Sequence, residues 1–324
     1  MTNFLSLIAA IIFIYSGCAN AQTSPASSYP NRQVRIVVPF APGGATDFVA
    51  RFIADHLTKR LGQPFIVENR TGAGGIIGID NVAKAIPDGY MLLVASGSYA
   101  VNPAVMRLPF DPVLDLIPIV NIVTGPASFL VNSTLPIKNL ADLVMYAKMQ
   151  EGKLVYASAG IGNTTHVAME AFMAEAGIKM IHSPYKGMAP ALAAVAASDA
   201  QVILSDTASA VSLVQAGKLR LIAVGGDKRL AQFPNVPSVV EAGFREVLAA
   251  PWQGIFAPKG TPVSIVQALN NHINDILRSK EIIDQLAGRF FAVVGGTPED
   301  FNALVRSDMQ SWKKVARESN VKIE

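Results

Sequence analysis

From Gln33 to Val224 the sequence keeps returning to one unit: a short apolar run, a turn bearing Gly or Ser, then apolar residues at helical spacing. Strands and helices that alternate in this way have few folding solutions, and the commonest is a mostly parallel sheet with helices on its faces. The first group reads as strand Gln33–Pro39, helix Asp47–Leu61 closed by Gly62, strand Pro64–Glu68, helix Ile76–Ala85 and strand Tyr90–Ser96. The rhythm then fails. Residues Asn102–Pro118 carry four prolines and little periodicity, and Ile119–Asn132 reads as one extended segment broken at Gly125-Pro126.

Alternation restarts with helix Asn139–Gln150, strand Lys153–Ser158, helix Thr164–Ala176 and strand Lys179–Ser183. Helix Ala189–Ala197, strand Ala200–Leu204, helix Ala208–Ala216 and strand Lys218–Val224 follow. A second extended segment, Pro251–Pro258, leads to helical patterns over Val263–Leu286 and Pro298–Glu318. Two α/β groups joined by two extended segments predict two lobes: 22–122 plus 253–324, and 123–252. Such lobes close over a ligand by hinge motion, with both sets of strand ends facing one cleft.

The first residues differ from the rest. Phe4–Ser16 is an apolar run of signal-peptide length, and Ala19-Asn20-Ala21 offers a small-x-small cleavage site. The expectation is a signal peptide over 1–21, a mature start at Gln22 and a periplasmic location. Ser16-Gly17-Cys18 gives the alternative, a lipoprotein anchor on Cys18, although Tyr15 stands where Leu is usual. Cys18 is the single cysteine, so no disulfide framework or thiolate metal cluster is expected. With 51% hydrophobic and 16% charged residues the mature chain has a sizeable core, and no later apolar run reaches membrane-spanning length. A net charge of +3 spread among both signs does not describe a nucleic-acid binder.

Function is sought at the strand-to-helix junctions: "APGGATD", "RTGAGG", "SGSYA", "SAGIGNTTH" and "SPYKGMAP". Each places small residues where a helix begins, and the first amides of a helix lack internal partners and carry its positive dipole end. An anion can approach such amides closely. For any single junction, ordinary turn and capping chemistry is the better explanation, and only several junctions converging on one cleft favour a ligand. Nucleotide motifs fail, because Ile77 interrupts G-x-G-x-x-G in "GAGGIIG". A nucleophile elbow fails at Ser158, where Tyr156 replaces the first Gly. His56, His166, His182 and His272 show no metal-ligand spacing, and each reads first as structural or surface. Asp47 is expected to brace the Gly43-Gly44 turn. Lys186 reads equally as a carboxylate partner or a solvated side chain, and Asp206 as a ligand acceptor or a helix cap. Tyr99 and Trp252 read as cleft wall or core, with Trp252 a wall near the hinge.

The ordered segments "YPNRQVRIVVPFAPGGATDFVAR", "LGQPFIVENRTGAGGIIG", "PDGYMLLVASGS", "YASAGIGNTTH", "SPYKGMAPAL", "PNVPSVVEAGF", "GIFAPKGTP" and "GGTPEDF" resemble the Bug family. Its members are periplasmic substrate-binding receptors of tripartite tricarboxylate transporters, and the likeness runs from about Tyr29 to the C-terminus. The resemblance implies an α/β, two-lobed periplasmic-binding-protein fold (type II-like), with two mostly parallel sheets flanked by helices and joined by two crossover segments. It implies a monomer without catalytic activity, cofactor or metal, which captures a small organic carboxylate and delivers it to membrane permease subunits. A ligand sensor for a signalling system and a secreted hydrolase are the alternatives. Carried over position by position, the ligand site comprises Pro42, Gly43, Gly44, Ala45, Thr46 and Asp47, with Gly74, Gly75, Ser96, Gly97 and Ser98. From the second lobe it takes Ser158, Gly160, Thr164, Thr165, His166, Tyr185, Lys186, Gly187 and Asp206. The chain departs from the family pattern at Thr71, Ser183, Ser198-Asp199 and Leu204-Ser205. The last of these put the distal specificity in question.

Overall fold

The computed structural model describes residues 29–245 and 251–321. The expected signal peptide, Cys18 and the start of the following linker lie outside the described residues. In chain order the elements are β1 (Val34–Val38), α1 (Ala45–Leu61), β2 (Phe65–Asn69), α2 (Ile76–Ala83), β3 (Met91–Ser96), α3 (Ser98–Val105), β4 (Leu116–Thr124) and β5 (Ala127–Asn132). Then come α4 (Leu140–Met149), β6 (Val155–Ser158), α5 (Thr164–Ala176), β7 (Ile181–Pro184), α6 (Met188–Ala196), β8 (Val202–Asp206), α7 (Thr207–Gln215) and β9 (Leu219–Val224). The chain closes with β10 (Trp252–Pro258), α8 (Val263–Leu277), α9 (Lys280–Ala287), β11 (Ala292–Gly295) and α10 (Pro298–Glu318).

Three elements differ from the sequence reading. A helix, α3, occupies part of the Pro-rich stretch and carries Pro103 inside it. Its buried Tyr99, Ala100, Val101 and Val105 pack into the core, and that burial outweighs the backbone bond a proline removes. The long C-terminal pattern is two helices, because Ser279 is extended and starts α9 afresh. Residues Ala292–Gly295 form a short edge strand that alternates half-buried with exposed positions, too weak a pattern to stand out.

The strands form two sheets, ordered β11-β4-β10-β3-β1-β2 and β7-β6-β8-β5-β9. Each has a parallel β/α core, β2-β1-β3 in one and β7-β6-β8 in the other. The crossover strands make both sheets mixed. β10 runs antiparallel to β3 and β4, and β5 runs antiparallel to β8 and β9. The reason is topological: β4 leads out of the first lobe and β10 leads back into it, so side by side they point in opposite directions. The two connections touch where Gly125 N–H donates to Pro251 O (3.1 Å).

On one face of the first sheet, Val34, Ile36 and Val38 pack with Ile53 and Leu57 of α1 and Leu269 and Ile273 of α8. On the other face, Tyr99, Phe256, Phe301 and Trp312 belong to a cluster that continues into Phe129, Tyr156 and Phe172 of the second lobe. Tyr99 and Trp252 are therefore core residues. The Trp252 indole donates to Asp308 Oδ2 (2.9 Å) and its ring meets Phe301 edge-on. Among the described residues no helix is long and apolar enough to cross a membrane.

Candidate functional site

The parallel strands of both sheets deliver their carboxyl ends, and the helices that follow, to the line where the lobes meet. The loop after β1 runs Pro39–Gly44. Gly43 has φ +92°, a backbone that favours glycine, and its amide donates to Asp47 Oδ2 (3.0 Å). Asp47, one turn into α1, also receives Arg51 Nε (3.0 Å) and Asn69 Nδ2 (2.9 Å). Burial acts to raise the Asp47 pKa. Hydrogen bonds from Arg51, Gly43 and Asn69 and the charge of Arg51 outweigh it, holding the carboxyl below its ordinary value. Asp47 is thus a brace for the turn, and no side chain of the loop itself caps the start of α1.

In the second lobe the loop after β6 is held differently. Asn163 caps α5, its Oδ1 accepting from Thr165 N (3.0 Å) and Thr165 Oγ1 (3.1 Å). Gly162 N–H donates to His166 Nδ1 (3.1 Å), so that nitrogen carries no proton. His166 stacks on His182 at 3.9 Å between ring centres, and Tyr156 stacks on His182 at 4.8 Å. Burial lowers the pKa of His166 to about 4. Burial, and then the proximity of His166, lowers that of His182 to about 3. Both rings are neutral near pH 7.

These two loops and the Ser96–Ser98 turn enclose a cavity of about 60 Å³ between the lobes. Of the expected site residues, Gly44, Ala45, Thr46, Asp47, Ser96, Gly97, Ser98, Thr164, Thr165 and Asp206 line it. Phe40, Ala41, Ala159, Asn163, Met188, Pro251 and Gln253 line it as well, and sequence reasoning did not reach them. The lining includes no Lys or Arg. An anion here would be met by helix amides and by hydroxyls. Of the two readings of Asp206, the structure shows the cap: it accepts from Ser209 N (2.7 Å) at the start of α7, and it also lines the cavity. Burial raises its pKa, partly offset by the bonds from Ser209.

The remaining expected residues fall outside this cavity. Gly74, Gly75, Gly160, Tyr185 and Lys186 border a second space of about 210 Å³ on the far side of Phe40 and Ala159. Gly74 is held so close to Ile161 that a Cβ would lie 2.1 Å from the Ile161 carbonyl oxygen, so it serves lobe contact. Gly43 borders a third space of about 130 Å³ with Ser209, Ser212 and Arg289. Gly187 backs onto Ala41, and Pro42 lines none of the three spaces. Lys186 is exposed, and its backbone carbonyl accepts from Ala41 N (2.8 Å). Ser158 and His166 are buried beside the cavity without lining it. Ser158 Oγ lies 2.6 Å from His182 Nε2 and accepts from Gly160 N (3.2 Å). None of Ser183, Ser198, Asp199, Leu204 and Ser205, the departures in the second lobe, lines the cavity.

Direct contacts across the cleft show a closed arrangement. Ala45 N donates to Ser209 Oγ (2.9 Å), Asn163 Nδ2 to Ser98 Oγ (2.7 Å) and Asn102 Nδ2 to the Gly162 carbonyl (2.9 Å). Ser98 and Thr164 hydroxyls are 3.0 Å apart. The two crossovers adjoin at Gly125 and Pro251, and connections of this kind are where paired lobes separate to admit a ligand.

Residues 49–321 match the family model described as tripartite tricarboxylate transporter family receptor. Protein BugT of Bordetella pertussis is 35% identical over 326 residues, covering 100% of this chain and 99% of that protein. Among solved structures, an R. palustris protein with adipate superposes with a TM-score of 0.87 at 32% identity, over 91% of this chain and 99% of that one. MatC from Rhodopseudomonas palustris with bound malate gives a TM-score of 0.85 at 30% identity, over 89% and 99% of the two chains.

Proposed function

This chain belongs to the tripartite tricarboxylate transporter receptor family, and we propose that it is an exported periplasmic receptor whose lobes close over a small organic carboxylate for delivery to membrane permease subunits. One observation carries the reading. A cavity between two hinged lobes is lined by the N-terminal ends of α1 and α5 and by hydroxyls, with no cationic side chain and with its acids engaged in bracing or capping. Such a site takes a carboxylate through neutral donors, and neutral donors release it more readily than a buried ion pair would. Similar proteins are solved with adipate and with malate, which fits the same chemistry.

A receptor is favoured over a hydrolase by the placement of Ser158 and His182. They contact each other, but neither side chain lines the cavity. The test is a thermal-shift screen of the mature protein against mono-, di- and tricarboxylates, with each acid's neutral amide as control. A ligand that binds only the folded state raises its melting temperature. Stabilisation by at least one acid and by none of the amides is expected, and no stabilisation by any acid would overturn the reading.

A further inference from the structure

Gln253 is 3% exposed and lines the cavity, yet its Oε1 meets no hydrogen-bond donor among the described residues. An amide oxygen left unpaired in the interior costs stability, and natural cores rarely tolerate it without a purpose. Its position is well determined. In the ladder between β10 and β3, Gln253 stands opposite Ser96, so both side chains share the face that meets the cavity. Trp252, one residue earlier, is pinned by Asp308 and the Phe301 ring, which leaves Gln253 directed inward.

We propose that Gln253 is a specificity-determining residue that receives an oxygen-bearing group at the far end of the ligand, an inference that rests on the carboxylate reading above. The order β10-β3-β1 sets β10 two strands from β1, roughly 10 Å across the sheet. A ligand with its carboxylate on the α1 amides that also reaches Gln253 is therefore a bifunctional acid. Its second oxygen lies several bonds from the first group. The unpaired Oε1 accepts from a ligand hydroxyl, and the Nε2 of the same amide donates to a carboxylate or carbonyl oxygen, so Gln253 matches an oxygen-bearing end of either kind and gives nothing to an alkyl end. The unpaired Gln253 then discriminates against the acid that lacks the second group, because a methyl end leaves the buried amide without a partner.

The experiment is calorimetry with paired probes: butyrate with succinate, and hexanoate with adipate, together with the corresponding terminal hydroxy acids. For at least one pair the wild type is expected to prefer an oxygen-ended member by about tenfold or more. Gln253→Leu should bring the pair to within about twofold by weakening only the oxygen-ended acid. The unliganded Leu variant should melt at or above the wild-type temperature, since an unpaired buried amide has been removed. Gln253→Asn keeps the amide but withdraws it, and should fall between the two; it carries the comparison if the Leu variant does not fold. Equal weakening of both members of a pair, or of neither, would overturn the proposal, as would a wild type that binds acids without regard to the far group. A wild type that binds no acid at all would instead overturn the functional reading on which it rests.

Discussion

The loop after β1 and the loop after β6 have the same plan, a strand end, a glycine turn and a helix start, yet they are stabilised by opposite means. In the first lobe a charged brace does the holding: Asp47 gathers the Gly43 amide, Arg51 and Asn69, and no side chain of the loop caps α1, whose Ala45 amide instead meets Ser209 of the other lobe. In the second lobe the holding is neutral. Asn163 and Thr165 satisfy the turn, and an unprotonated His166 nitrogen takes the Gly162 amide. The difference suits a division of labour. A loop that must present bare donors to an anion cannot spend its own side chains on them, whereas a loop that must dock on its counterpart is best finished in advance. Asn102 reaches the Gly162 carbonyl, and Asn163 reaches Ser98, because that loop already has a fixed shape.

Removing the charged brace should have the largest effect. Asp47→Ala strips the acceptor from three groups at once and should cost about 3 kcal/mol of stability, read by chemical denaturation, together with a marked loss of ligand affinity. The two loops should also fail at different pH. A histidine whose folded pKa is depressed must stay neutral in the fold while the unfolded chain takes up a proton. His166 and His182 therefore withdraw stability as pH falls from about 6.5 towards 4 and below. Asp47, with a depressed carboxyl, gives its stability fully above the ordinary carboxylate value and loses it only as pH falls through its lowered folded pKa. His166→Phe, which keeps the stacked ring, should flatten the upper part of the acid limb in a pH series of melting curves and leave the lowest part in place.

Smaller effects separate the two glycines of the first loop. Gly43→Ala places a side chain at φ +92° and 3.3 Å from Ala189 Cβ, and should cost about 1–2 kcal/mol and slow or weaken closure. Gly44 has φ −86° and only a 3.4 Å approach to Met188, so Gly44→Ala should change melting by less than about 0.5 kcal/mol. Asp206 is a case of the opposite sign. Its pKa is raised, so its ionisation costs stability as pH climbs past the ordinary carboxylate value. Asp206→Asn keeps the cap on α7 and should stabilise the unliganded protein at neutral pH by up to about 1 kcal/mol, while altering ligand preference.

Much of this was legible in the sequence because it is local. "PFAPGGATD" encodes a strand end, a positive-φ turn and an α1 start, and Asp47 falls where a brace has to be. The alternating patterns likewise gave the β/α cores of both sheets. What escaped depends on pairing between distant segments. Pro103 looked like a breaker, and only burial of Tyr99 and Val101 makes α3 a helix. No motif ties Ser158 to a histidine, and only the β6–β7 register, which sets Tyr156 beside His182, brings the Ser158 hydroxyl to that ring. Nothing local marks Gln253 within "PWQG"; its meaning comes from standing opposite Ser96 across a sheet. Gly74 and Gly160 enter the expected site through the family resemblance, and no local signal shows that the fold presses them against each other, with Gly74 Cα 3.3 Å from the Cβ position of Gly160.

The central claim is that the α1 amides, unassisted by any cation, hold a carboxylate. Calorimetry of the wild-type protein with the best-binding acid and with its methyl ester tests it most directly. Binding of the acid, with the ester at least about a hundredfold weaker, is the predicted result. Equal affinity for acid and ester would contradict it, because a site built to hold an anion cannot be indifferent to removal of the charge.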